Sequence, residues 1–170
     1  MDTLLGPATT IQAITMRRLV VEAEKCAGCR QCEMVCSFHR AGVFSPLLSR
    51  ITVIKDDERG FDYPVSCRQC EECPPAEACP TGALSRDETG IVHVDVESCI
   101  GCGACVNSCP FGAVKLDKET RPIICDLCGG DPACVSRCPT HAITFVESGF
   151  FDERPTDALQ RLMGRWGIDG

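Results

Sequence analysis

Aromatic side chains are scarce in this chain of 170 residues, which has seven Phe, one Tyr and one Trp. A chain this short with so little aromatic volume cannot build a large apolar core, so something besides packing must hold it together. Long apolar runs are missing too. No stretch approaches the ~18 uninterrupted apolar residues that a membrane span needs, and residues 1–25 contain no apolar signal core. The pair Arg17-Arg18 leads into LVVEAEK, too charged and too short to complete a twin-arginine signal. A glycine-rich dinucleotide fingerprint, a P-loop and a C-x3-C-x2-C run are also lacking. His39 and His93 are lone histidines of the kind that is more often structural than catalytic. These absences point to a soluble, cytoplasmic chain with no catalytic centre of its own.

What the chain has instead is cysteine, 16 in all. In a short secreted chain that density would mean disulfides, but without a secretory segment clustered thiols more often bind metal. The stretch 99–110 reads CIGCGACVNSCP. C-x2-C-x2-C-x3-C-P is the bacterial run that grips a cubic 4Fe-4S cluster, its first three thiols holding one cluster and the fourth pointing to a neighbour. Three further quartets are present: Cys26, Cys29, Cys32, Cys36; Cys67, Cys70, Cys73, Cys79; and Cys125, Cys128, Cys134, Cys138. Sixteen thiolates meet the full demand of four 4Fe-4S clusters.

The crossing rule pairs the quartets two by two. The second and third, separated by one hairpin, form an inner unit, and the first and fourth close around it. The expected ligand sets are Cys99, Cys102, Cys105 with Cys79; Cys67, Cys70, Cys73 with Cys109; Cys26, Cys29, Cys32 with Cys138; and Cys125, Cys128, Cys134 with Cys36. Four zinc sites or eight disulfides are the rival readings, and the triple spacing with its trailing proline is atypical of both.

Between quartets the sequence reads as short strands and tight turns. Residues 19–23 suggest a strand, 32–39 a helical stretch ending near Gly42, and 49–55 with 61–65 a hairpin across the polar turn 56–60. Residues 83–86 with 91–95, and 113–116 with 122–124, read as further hairpins, and 142–146 as a closing strand. CPTGAL, CPFGAV and CPTHAI repeat after Cys79, Cys109 and Cys138. Proline fixes the exit, and glycine permits the positive φ where the backbone turns away. His141 takes the glycine's place in the third copy and is not needed as a ligand. Leu159, Leu162, Met163 and Trp166 share one face of a predicted helix with Thr156 as N-cap and Gly167 as stop, either packed on the chain itself or offered for docking.

The formal charge of -7 counts thiols as neutral. With four clusters bound it would become roughly -15, which repels nucleic acid. Lys25, Arg30, Arg40, Arg68, Arg86, Lys115, Arg121 and Arg137 lie among the quartets and either soften that field or are ordinary surface charge.

Over roughly residues 18–146 these motifs resemble the polyferredoxin electron-transfer subunits of formate dehydrogenases, dimethyl sulfoxide reductases and hydrogenases. Cys36-Ser-Phe-His39, Gly42-Val43-Phe44, Pro46 and Ser49-Arg50-Ile51 look most like the small subunit of bacterial tungsten aldehyde oxidoreductases. The resemblance implies an α+β fold of two bacterial-ferredoxin-like units, one inserted in the other: residues 16–66 and 115–150 outer, 67–114 inner, with extensions at 1–15 and 151–170. It implies a non-catalytic relay of electrons from a large subunit with a tungsten pterin cofactor to a flavin subunit or ferredoxin. A molybdenum enzyme, hydrogenase or carbon monoxide dehydrogenase subunit, or a freely diffusing multicluster ferredoxin, are the alternatives. The extensions are candidates for self-association. In the second quartet the family more often has its third cysteine where this chain has Pro75. Cys73 then reaches the same iron by another path, or that cluster has three irons.

Overall fold

The computed structural model of the chain describes residues 16–147 and 153–167. Its strands are β1 (Arg17–Val21), β2 (Ile51–Asp56), β3 (Phe61–Ser66), β4 (Leu84–Arg86), β5 (Val92–Val94), β6 (Lys115–Leu116), β7 (Pro122–Ile123) and β8 (Ile143–Glu147). They pair as four two-stranded antiparallel sheets, of which β2-β3, β4-β5 and β6-β7 are the expected hairpins. The turns form for a local reason. The Asp87 carboxylate accepts the backbone N–H of Thr89 and Ile91, each at 2.9 Å. Asp117 repeats this with Glu119 at 2.8 Å and Arg121 at 2.9 Å, so both turns close on an aspartate that mimics a backbone turn.

The fourth sheet joins distant parts of the sequence. β1 lies against β8 with Leu19 opposite Phe145 and Val21 opposite Ile143. One strand from each end of the cysteine-bearing body therefore meets in a single ladder.

Helices begin where the cysteine loops end. α1 (Gln31–Ala41) buries Cys32, Glu33, Cys36 and Ser37, residues four apart on one face, and stops at Gly42 with φ 69°. α2 (Pro74–Glu77), α3 (Ala104–Ser108) and α4 (Ala133–Ser136) are single turns. α5 (Pro155–Trp166) ends at Gly167, φ 67°, as expected. Its N-cap is Arg154 rather than Thr156, because Pro155 takes the first helical position and Asp157 bonds back to the Arg154 backbone N–H at 3.2 Å. α5 packs on the chain itself. Ala158 and Leu162 are buried, Leu159 and Met163 are half-buried and Trp166 is 45% exposed, so only part of the predicted face is used internally. Residues 1–15, the rest of the expected self-association surface, lie outside the described residues.

Three small apolar cores result. Leu19, Ile51, Val53, Leu127 and Ile143 gather with Cys32, Cys36, Cys125 and Cys134. Val21, Phe61, Tyr63 and Val65 gather with Ala158 and Leu162. Leu84, Val92, Val114 and Ile124 gather with Cys73 and Cys105. Cys67 packs against all three. Thiols occupy the positions that aliphatic side chains fill in an ordinary core, which is why aromatic volume can be so low.

Candidate metal centres

The first C-x2-C pair of each quartet is bent by the residue before its second cysteine. Gly28, Gln69, Gly101 and Leu127 have φ of 60°, 51°, 69° and 56°. That left-handed residue turns its backbone N–H inward. The N–H of Gly28, Gln69 and Leu127 bears on the sulfur of Cys26, Cys67 and Cys125 and favours its thiolate. A Cβ at Gly28 would also run into the Asp62 carboxylate, which would have to shift. Gln69 and Leu127 carry side chains in a conformation that costs ~1 kcal/mol or more, and both are fixed by burial, at 1% and 2% exposed. The cysteine spacing alone did not mark these two positions.

The exits repeat as predicted. Gly82, Gly112 and His141 have φ of 67°, 63° and 54°, so histidine adopts the glycine geometry in the third copy. Turning there aims amides back at the preceding sulfur: Ala113 N donates to Cys109 Sγ at 3.4 Å. Around Cys79, burial opposes ionisation, but the N–H groups of Leu84, Thr81 and Ala83 and the Thr81 hydroxyl bring the thiol down to about 7. Cys138 is lowered in the same way, burial being outweighed by the amides of Ile143, Thr140 and Ala142. At Cys32 and Cys125 burial dominates and pushes the thiols up to about 12. Thiols of that kind stay protonated at neutral pH until a metal displaces the proton.

The tertiary structure groups thiols from different quartets. Cys67, Cys70, Cys73 and Cys109 line one small cavity with Val92, Val114 and Ile124. Cys79, Cys99, Cys102 and Cys105 line a second. Neither is lined by a consecutive quartet. Cys26 bears electrostatically on Cys29, Cys32 and Cys138. Cys134 bears on Cys36, Cys125 and Cys128, and on Cys32 as well. Cys73 stands in the first cavity beside Pro75 although it comes early in the sequence.

None of the sixteen cysteines is in a disulfide. Two of the crossed sets line small cavities, and four converging thiols are the donor set a 4Fe-4S cluster takes. Their surroundings differ in charge. Asp62 and Glu33 face Cys26 and Cys32, whereas Arg18 faces Cys70 and Arg86 faces Cys73.

Residues 59–148 match the family model described as 4Fe-4S dicluster domain, and residues 23–39 match that of a 4Fe-4S binding domain. Together the two matches take in every cysteine of the chain. The chain belongs to the polyferredoxin-like 4Fe-4S electron-transfer proteins. The polyferredoxin-like subunit of an aliphatic sulfonate oxidoreductase from Pyrococcus furiosus is 45% identical over 67% of this chain and 66% of that protein, just under two thirds of its length. A putative electron transport protein of Escherichia coli, YsaA, is 44% identical over 66% of this chain and 76% of its own. Electron transport protein HydN of the same organism is 36% identical over 85% of this chain and 96% of its own. This polyferredoxin is therefore built of small mixed α/β ferredoxin-like domains that carry multiple 4Fe-4S clusters. Among its described residues no helix is long and apolar enough to cross a membrane.

Proposed function

We propose that this polyferredoxin is a non-catalytic subunit that relays electrons through four 4Fe-4S clusters held by crossed ligand sets. The carrying observation is the first cavity, where Cys109 of the third quartet joins Cys67, Cys70 and Cys73 of the second. Cys79 joining Cys99, Cys102 and Cys105 is its reciprocal. Thiolates in these sets would hold the clusters, which supply one-electron redox chemistry. The β1-β8 ladder supports an outer unit of residues 16–66 and 115–150 closing around an inner unit of 67–114. A relay needs its centres at fixed separation, and the shared stretch between the third-quartet loop and Cys109 provides it.

The partner we favour is a large subunit with a tungsten pterin cofactor that oxidises an aldehyde, with electrons leaving to a flavin subunit or ferredoxin in the cytoplasm. Support comes from the segment that opens with Cys36-Ser-Phe-His39. Residues 34–55 contain no acid, in a chain with 24 Asp and Glu. Phe38 and Phe44 stack at 4.7 Å, and with Val43 and Leu47 they are 48–80% exposed. His39 and Arg137 line the groove beside Phe38 and Phe44, while Arg40 and Arg50 are both paired with Asp126. An exposed apolar face on an otherwise acidic protein, directly beside Cys36, suits a protein partner. A molybdenum oxidoreductase, hydrogenase or carbon monoxide dehydrogenase partner is the second reading, since one relative is named as a subunit of a different oxidoreductase.

The test is purification of the native complex with metal analysis. Tungsten, a co-purifying large subunit and aldehyde-dependent bleaching of the brown thiolate-to-iron absorption are expected. A native monomer without a partner would leave the diffusing ferredoxin, and a colourless protein would sink the cluster reading.

A further inference from the structure

Arg18 belongs to the outer strand β1 but does not stay there. Its side chain is buried at 4% exposure. Nη1 donates to the carbonyls of Arg68 at 2.9 Å and Gln69 at 2.6 Å, the two residues between Cys67 and Cys70. The Gln69 amide continues across the junction: Nε2 donates to Cys125 O at 2.7 Å, and Oε1 accepts from Val92 N at 2.8 Å. A charge on the outer unit is thereby fixed against a cysteine loop of the inner one.

Iron-sulfur potentials depend on net charge, hydrogen bonding to sulfur and solvent exposure. Burial disfavours the more negative, reduced form, and a fixed cation beside the ligands favours it. Cys73 is 8% exposed, and Leu84, Val92, Val114 and Ile124 surround it, so burial by itself would hold this site's potential low. Arg18 supplies the opposing charge at Cys70 and Arg86 does so at Cys73, with Glu77 acting against Arg86 there. The guanidinium is pre-oriented by two carbonyls, so it needs no rearrangement when an electron arrives.

We infer that Arg18 is a positioning residue that raises the reduction potential of the cluster held by Cys67, Cys70, Cys73 and Cys109, making it an electron-accepting station at the junction of the two units. This rests on the crossed ligand set proposed above. Replacing Arg18 with neutral Gln withdraws the charge and keeps a hydrogen-bond donor. Whatever else the guanidinium touches, the direction is the same: the reduced form loses stabilisation.

The experiment is an EPR-monitored redox titration of the whole protein with iron analysis, on wild type, Arg18→Gln, Arg18→Lys and Cys109→Ser. Arg18→Gln should keep its iron and make one component about tenfold harder to reduce, a fall of about 59 mV for a one-electron couple. Arg18→Lys should leave that midpoint near wild type. The shifted component should be the one that Cys109→Ser abolishes. Unmoved midpoints in Arg18→Gln would overturn the inference. A shift confined to a component that Cys109→Ser leaves intact would instead refute the ligand set, and with it the assignment of Arg18 to that cluster. If Arg18→Gln sheds iron, Arg18→Lys decides: normal iron and midpoint support the charge role, and loss of the same cluster shows that Arg18 is an anchor only.

Discussion

Replacing Cys109 with Ser tests the crossing of ligands directly, because Cys109 is the last cysteine of the third quartet and yet lines a cavity with the three leading cysteines of the second. One whole cluster should be lost or reduced to three irons, taking iron from about 16 per chain towards 12 in the full-loss limit. The cost to stability can be worked from the connectivity. A bridge between residues 67 and 109 closes a loop of about 42 residues, but with Cys79 and Cys105 still joined through the other cluster the free loop is about 16. Closing such a loop is worth ~3 kcal/mol on the chain-entropy estimate. For a chain of this size that corresponds to a fall in Tm of roughly 6–12 °C. Iron and sulfide analysis, EPR and thermal melting should be run beside Cys73→Ser and Cys105→Ser. Cys109→Ser should lose the component that Cys73→Ser loses. If it lost the one that Cys105→Ser loses, each quartet would close on its own cluster and the crossing would be wrong.

Leu162→Ala should destabilise the protein by ~2–5 kcal/mol, seen in thermal or denaturant melts, because Leu162 is 1% exposed in the core under α5, whereas Trp166→Ala should change the melt little. The Glu24 carboxylate is held below its usual range by a backbone N–H and by Arg161 and Arg165, against the opposing effect of burial. Its contribution to docking α5 is therefore full above the ordinary carboxylate pKa of ~4.3 and is lost as pH falls through the lower folded value; amide exchange in α5 should accelerate there, and less so in Glu24→Gln. Cluster reconstitution from iron and sulfide should become more complete from pH 6.5 to 8.5, followed by the brown absorption, since thiols at about 12 such as Cys32 and Cys125 must surrender protons. Phe38→Ser combined with Phe44→Ser should leave iron content unchanged and remove the co-purifying partner; undiminished co-purification would clear that face of a docking role.

Much of the architecture is local and could be read in order. The hairpin turns, the Gly42 and Gly167 stops and the positive φ at His141 follow from residues within a few positions of one another. Other features are settled by long-range packing. Arg18 looks like half of an incomplete export signal, and only the approach of β1 to the Cys67 loop makes it a buried cation. Arg68, read as softening the field or as ordinary surface charge, is 4% exposed and donates to the Tyr63 hydroxyl at 2.7 Å. In sequence the face with Leu162 and Trp166 is open to packing or docking, and the structure splits it: Leu162 is buried together with Ala158, whereas Trp166 is 45% exposed.

The cysteines divide in the same way. Their number, close spacing and trailing prolines point by themselves to 4Fe-4S clusters, because one tight loop then presents three thiols to one cluster. The crossing rule suggests which fourth thiol joins which three, but how deeply each set is buried and which charges face it depend on residues tens of positions apart. The loops, helices and β1-β8 ladder have to close before Arg18 meets Gln69, so that relation belongs to the tertiary structure alone.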